Sequence, residues 1–304
     1  MLLCYEHHRL VDKQDPEGHP RERLLGMKQA QEKRVSLACG IPPENKSHVL
    51  IYGANIGDHK TALDYRTTAS ALLPQRRYPA NREPFLIQTR DDSRTDRNPE
   101  YWGQERQNLE TKFATRILPV IAAGDDPHIS VFGLAPQPLL VLLGALLSDK
   151  YNVAVYQRHR EPVPGWAWPD LDDDYETLTL QLARPESFNR PPALVLSLSA
   201  TLTENRVLTA MGDDCAIWHV SIPVRNQHCI RSPHDLVVWR RFIMRLLGEI
   251  KEKHGHGTEL HIFPAVPVSA AVTLGLVRQS KADMPFHVYD EVPGRGFVQA
   301  LTIG

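Results

Sequence analysis

No stretch of this sequence is apolar for long enough to cross a bilayer: the most apolar run, residues 138–147, falls well short of the roughly 20 residues a membrane helix needs. The N-terminus shows no apolar core followed by a small-residue cleavage site, so no secretory signal is read there. Cysteine is scarce and scattered. The four, Cys4, Cys39, Cys215 and Cys229, include no C-x-x-C pair, which suits reduced thiols better than a disulfide frame. Neither sign of charge is in excess. With a formal net charge of -1, any polyanion site has to be a local feature. Also missing are GxGxxG after the first strand, GxxxxGK[ST] anywhere, and a G-x-S-x-G elbow. Their absence argues against a dinucleotide dehydrogenase, a P-loop NTPase and a serine hydrolase of the common type. What is present has an ordinary soluble composition, 42% hydrophobic and 23% charged over 304 residues. The reading is of a cytoplasmic chain with room for about two domains.

A self-similarity organises it. The segment from His128 to Gln157 and the segment from Leu260 to Asp290 each read as strand, proline-punctuated turn, helix, strand. Phe132, Pro136 and Gly144 have the same mutual spacing as Phe263, Pro267 and Gly275, and the closing strands carry Tyr156 and Tyr289. Two similar α/β halves in tandem are expected, at about 48–160 and 190–304.

Residues 1–35 differ in character and are too few to fold alone; a charged helical segment is expected from Pro20 to about Val35. Residues 36–47, with Gly40, Pro42 and Pro43, read as a linker. The first half then offers strands at 48–53 and 84–89, a helix from about Asp58 to Leu73, and a long helix from about Pro99 to Ala122. Leu109, Phe113, Ile117 and Ile121 step along that helix at helical spacing. Residues 158–192, with Trp166, Trp168 and the acidic residues Asp170, Asp172, Asp173 and Asp174, form a seam. The second half restates the order: strand 193–198, helix from about Thr203 to Met211, strand 216–222. The next helix is announced by Ser232 as cap, Pro233 at the first position and Asp235 three after the cap. Residues 297–303 close the chain as an extra strand. Strands alternating with helices imply Rossmann-like parallel sheets covered on both faces.

In open α/β sheets, ligands bind beyond the carboxyl ends of strands, where helix N-termini favour phosphate. Four loops have that placement: Gly53–Gly57, Gly133–Pro138, Ser199–Thr201 and Pro264–Ser269. They come in pairs, so two halves side by side would share a pseudo-twofold groove suited to a ligand with two or more phosphates. Candidate ligand-binding residues are Asn55, Ile56, Lys60, Phe132, Pro136, Gln137, Tyr156, Arg158, Trp166, Ser199, Thr201, Phe263, Pro264, Ala265, Pro267 and Ser269. Lys60, Arg158 and Arg160 would offset phosphate charge, and Tyr156, Trp166 or Trp168 would stack on bases. Each has a plainer role as core aromatic, turn former, helix cap or solvated cation.

Two resemblances attach to these residues. The run His261-Ile262-Phe263-Pro264-Ala265-Val266-Pro267-Val268-Ser269 through Gly275, ending in Val288-Tyr289-Asp290, resembles the C-terminal signature of SAVED domains, and Val49 to Asp64 resembles their opening. That family implies two fused CARF-like, Rossmann-like units that sense cyclic oligonucleotides in bacterial anti-phage (CBASS) signalling. Leu3-Cys4-Tyr5-Glu6-His7-His8 resembles the second half of an HNH endonuclease motif, with His8 as the implied metal ligand. The motif's general-base histidine and asparagine would fall upstream of Met1, so this chain alone is not expected to cut DNA. Together the resemblances imply an HNH–SAVED effector lacking the front of its nuclease. A cyclic dinucleotide of the cyclic GMP-AMP type would bind without a cofactor and drive homo-oligomerisation. The intact nuclease would then use a divalent metal, Mg or Zn, to degrade double-stranded DNA. The rival reading is a ring nuclease-like hydrolase using the same groove.

Overall fold

The computed structural model describes residues 4–56, 63–88, 95–98, 100–123, 126–161, 163–212, 214–226 and 228–304, with the backbone alone at 34 and 36–39. No helix among the described residues is long and apolar enough to cross a membrane. A short helix, α1 (Tyr5–Arg9), runs into a π-turn at Leu10–Gln14, and α2 spans Arg21–Cys39. Helix α2 therefore continues through the first third of the expected linker.

The first half follows as β1 (Lys46–Gly53), α3 (Tyr65–Ser70), β2 (Tyr78–Pro79), β3 (Phe85–Gln88), α4 (Tyr101–Lys112), α5 (Leu118–Ala123), β4 (Ile129–Leu134), α6 (Gln137–Leu147) and β5 (Val153–Val155). Helix α3 is much shorter than expected, and the start of that expected helix lies outside the described residues. The long helix is broken between α4 and α5 by a π-turn at Phe113–Ile117. Such a turn inserts a residue and re-phases the stripe, which keeps Phe113 and Ile117 both buried. After the seam, β6 (Gln181–Ala183) precedes β7 (Pro192–Ser197), α7 (Glu204–Met211), β8 (Ala216–Ser221), α8 (Pro233–His254), β9 (Leu260–Ala265), α9 (Val268–Leu276), β10 (Phe286–Val292) and β11 (Gly296–Ile303). Strand β5 ends before Tyr156, whereas β10 runs past Tyr289 to Val292.

The sheet orders carry the repeat. In the first sheet the parallel strands run β3-β1-β4-β5, with β2 beside the start of β1. In the second they run β8-β7-β9-β10, extended by antiparallel β6 and β11 at its two edges. Strands buried on both faces read as unbroken apolar runs; Leu194, Val195 and Leu196 in β7 are fully buried.

Helices α6 and α9 lie against each other between the sheets, and one apolar core spans both halves. Their contact is made possible by glycine. A Cβ on Gly144 would sit 2.0 Å from the Val272 carbonyl oxygen, and one on Gly275 would sit 1.9 Å from that of Val141. The contact is reciprocal, as a pseudo-twofold axis between the helices requires. Smaller clusters cover the outer faces. There Phe132 stacks on Tyr156 at 4.5 Å, and Phe263 stacks on Tyr289 at 4.3 Å. Helix α8 begins with the expected capping box, and buried Asp235 is its anchor. The Asp235 carboxylate accepts from the main-chain N–H groups of Leu178, Arg231 and Ser232 and from the Tyr175 hydroxyl, which ties the seam to the helix.

Candidate functional site

Strands of both sheets end at a cleft of about 400 Å³ between the halves. The loop after β4 brings Gln137, and the chain leaving β5 brings Gln157, Arg158 and Arg160. The loop after β7 brings Ser199, the loop before α8 brings His228, and the turn into α9 brings Val266, Pro267 and Val268. Three of the four expected loops thus converge. The described part of the first, Gly53 to Ile56, does not line the cleft. Asn55 is buried instead, its carbonyl accepting from the Tyr101 hydroxyl at 2.9 Å.

Two glutamines of the first half hold the floor. Gln137 Oε1 accepts from the Val266 N–H at 3.1 Å. Gln157 Oε1 accepts from the Ser269 N–H at 3.2 Å and from the Ser269 hydroxyl at 2.6 Å, while its amide donates to the Arg158 carbonyl at 2.9 Å. These bonds correct an expectation. The start of α9 has its Ser269 N–H engaged by Gln157, Pro138 gives α6 no N–H at its second position, and the Leu139 and Leu140 N–H groups turn back to the Pro136 carbonyl. The Ser269, Leu139 and Leu140 N–H groups are therefore already engaged within the protein.

Positive charge comes from side chains. The Arg158 guanidinium lies 5.6 Å from the centroid of the Trp166 ring, a cation–π contact that steers it. Arg160 is exposed. Neither arginine has a carboxylate partner among the described residues. Beside them His159 is buried, with its Nε2 unpartnered. Burial, then the charges of His228 and Arg158, lower its pKa to about 4. The guanidinium groups of Arg158 and Arg160 would favour an anion in the cleft.

The aromatic expectations are corrected as well. Phe132 and Phe263 are fully buried, and Tyr156 and Trp166 are 2% exposed. All four build the outer-face clusters and present no ring to a base. Pro136, Pro264 and Ala265 are buried, and Ala265 serves through its carbonyl, which accepts from the N–H groups of Leu198 and Ser199. The side chain of Ser269 is buried against Gln157. Thr201 is exposed but off the cleft wall, and Ile56 is exposed away from it. Lys60 lies outside the described residues. Of the candidates, Gln137, Arg158, Ser199 and Pro267 meet at the cleft. Gln157 and His228 were missed. Gln157 follows Tyr156 as Asp290 follows Tyr289, a polar residue after each repeat tyrosine that the repeat itself exposes; His228 has no sequence signal.

At the other end of the chain, His8 Nδ1 faces Asp12 Oδ2 at 2.7 Å within one helical turn. No three metal-ligand side chains converge among the described residues. One imidazole is not a metal site, so no chemistry is assigned to a metal here.

Residues 109–303 match the family model described as SMODS-associated and fused to various effectors sensor domain. The chain belongs to the SAVED family. Two solved structures share the SAVED fold of this chain. The Acinetobacter baumannii Cap4 SAVED/CARF-domain containing receptor with the cyclic trinucleotide 2'3'3'-cAAA is 13% identical, with a TM-score of 0.56, over 84% of this chain and 51% of that one. The same receptor with 3'3'3'-cAAA is 14% identical, with a TM-score of 0.50, over 68% and 44%. This SAVED chain thus spans about half the length of the receptors it resembles. No curated protein matches it.

Proposed function

We infer that the chain is the sensor of a cyclic oligonucleotide second messenger, bound in the cleft between the halves. The observation that carries this reading is the convergence of Arg158, Arg160 and His228 on a 400 Å³ space, with no carboxylate opposing either arginine among the described residues. A ring of phosphodiesters offers anionic oxygens spaced around a compact body, which suits guanidinium groups at a cleft rim. The ligands of the similar Cap4 structures belong to this chemical class. A cyclic dinucleotide of the cyclic GMP-AMP type presents the same phosphodiester chemistry and is the ligand proposed first. Binding would drive self-association in the cytoplasm. In the longer effector that association would activate an HNH nuclease acting on double-stranded DNA with Mg or Zn, residues 1–35 forming the end of that domain, 36–47 a linker and 48–304 the SAVED domain.

Calorimetric titration with a panel of cyclic di- and trinucleotides tests the reading. At least one should bind, and Arg158→Ala and Arg160→Ala should each weaken it by about tenfold, the worth of one charge-assisted hydrogen bond. Silence across the panel, or affinity in both variants unchanged from the parent, would refute the sensor assignment. Chromatography of the same mixtures separates it from a ring nuclease, which would release linear products.

A further inference from the structure

The two halves are built alike, but their edges are not. In the second sheet β10 takes the place that β5 takes in the first, each beside the strand that feeds a glycine-bearing central helix. The far edge of β10 is covered by antiparallel β11. Among the described residues, β5 pairs with β4 alone. Beside its far edge lies a groove of about 290 Å³, walled by α8 and α9. Those helices are the counterparts of α4 and α6, against which β11 packs in the other half. The groove is where a β11 equivalent would lie.

Its chemistry fits an added strand. The Asn152 carbonyl accepts from the Ile129 N–H, and the Tyr156 N–H donates to the Val131 carbonyl, so both face β4. Alternate residues of a parallel strand turn their main-chain groups to opposite sides. Val153 and Val155 therefore present their N–H and C=O groups to the groove. Such an open edge is a template for another extended chain. A second parallel sharpens the case. Aligning the buried stripes of α4 and α8, with Trp102 on Leu236 and Leu109 on Ile243, places Arg106 on Arg240. The Arg106 guanidinium donates to the Thr302 carbonyl of β11 at 2.7 Å. Among the described residues Arg240, which lines the groove, has no such partner, and Arg77, also lining it, has no carboxylate partner. Leu236, Val237 and Leu276 supply apolar surface between them.

We propose that the β5 edge is a strand-addition site for an extended, acidic segment of a partner protein. The segment pairs with the main-chain groups of Val153 and Val155 while its carboxylates meet Arg77 and Arg240. The test uses fluorescein-labelled hexapeptides of alternating valine and glutamate, with lysine-for-glutamate counterparts as controls. The acidic peptides should bind by fluorescence anisotropy and slow hydrogen exchange at the Val153 and Val155 amides. Arg77→Glu and Arg240→Glu, which sit on partly exposed side chains, should each weaken binding about tenfold or more without lowering the melting temperature. Val155→Pro removes an outward N–H that β4 does not use and should abolish binding; if that variant fails to fold, the arginine variants still decide. Equal binding of the lysine peptides, no binding at millimolar peptide, or protection elsewhere than β5 would overturn the proposal. So would Arg240-dependent self-association in light scattering, since a second copy would then be the occupant.

Discussion

Replacing Gly275 by alanine places a methyl group where another helix already has its backbone. The new Cβ would sit 1.9 Å from the Val141 carbonyl oxygen and 2.8 Å from the Ala145 nitrogen. To regain an ordinary separation of about 3.5 Å, α6 and α9 must part by roughly 1.5 Å. No side-chain rotation helps, because the obstructing atoms are main chain. Overpacking of this kind costs about 1–3 kcal/mol, and the parted helices lose further contacts along a core shared by both halves. Against this, alanine gains about 1 kcal/mol of helix propensity. A net loss of about 2–3 kcal/mol is expected for Gly275→Ala, and a similar loss for Gly144→Ala. The double variant should cost clearly less than the sum, because the first methyl has already separated the helices. Gly248→Ala in α8 is the control. Nothing lies within 4 Å of a Cβ built there, so propensity alone acts and the change should stabilise by about 1 kcal/mol. Urea unfolding of the four variants decides. If Gly275→Ala proves as stable as Gly248→Ala, the reasoning about the central helix contact is wrong.

Burial, and then the charge of Asp96, raise the pKa of Asp290 to about 7. The folded chain then holds a proton that the unfolded chain releases between pH 4 and 7, a contribution to stability lost as pH rises through 7. Buried His128 and His159, each lowered to about 4 chiefly by burial, slope the other way. The measurable quantity is therefore the difference from Asp290→Asn, whose advantage over the parent should grow from pH 4 to 7 and then level off in thermal melts. Asp235→Ala strands several buried donors at once and should cost about 3 kcal/mol or more by chemical denaturation; a loss under 1 kcal/mol would mean the seam is not anchored there. Gln157→Ala leaves the Ser269 N–H without its acceptor and should cost about 1–3 kcal/mol. It should also weaken ligand binding more than Thr201→Ala, which lies off the cleft wall; equal calorimetric affinities would discount the glutamine clamp.

Local chemistry and period were legible in the sequence by itself. Ser232, Pro233 and Asp235 marked the start of α8 because a cap is satisfied within its own first turn. The spacing shared by Phe132-Pro136-Gly144 and Phe263-Pro267-Gly275 pointed to two like halves, and with them to a repeated succession of elements and paired loops. Tertiary structure alone decided which groups were left free to act. Tyr156 and Trp166 looked available for stacking and Phe132 and Phe263 for ligand contact, but whether such a ring meets solvent depends on what covers the outer face. The starts of α6 and α9 looked ready for phosphate, until Gln157 took the Ser269 N–H from across the cleft. Arg158 and His228 stand far apart in the chain and meet because two sheets end at one place. The bare edge of β5 is also a property of the fold, since the extra strand that closes the chain pairs with only one half of the repeat.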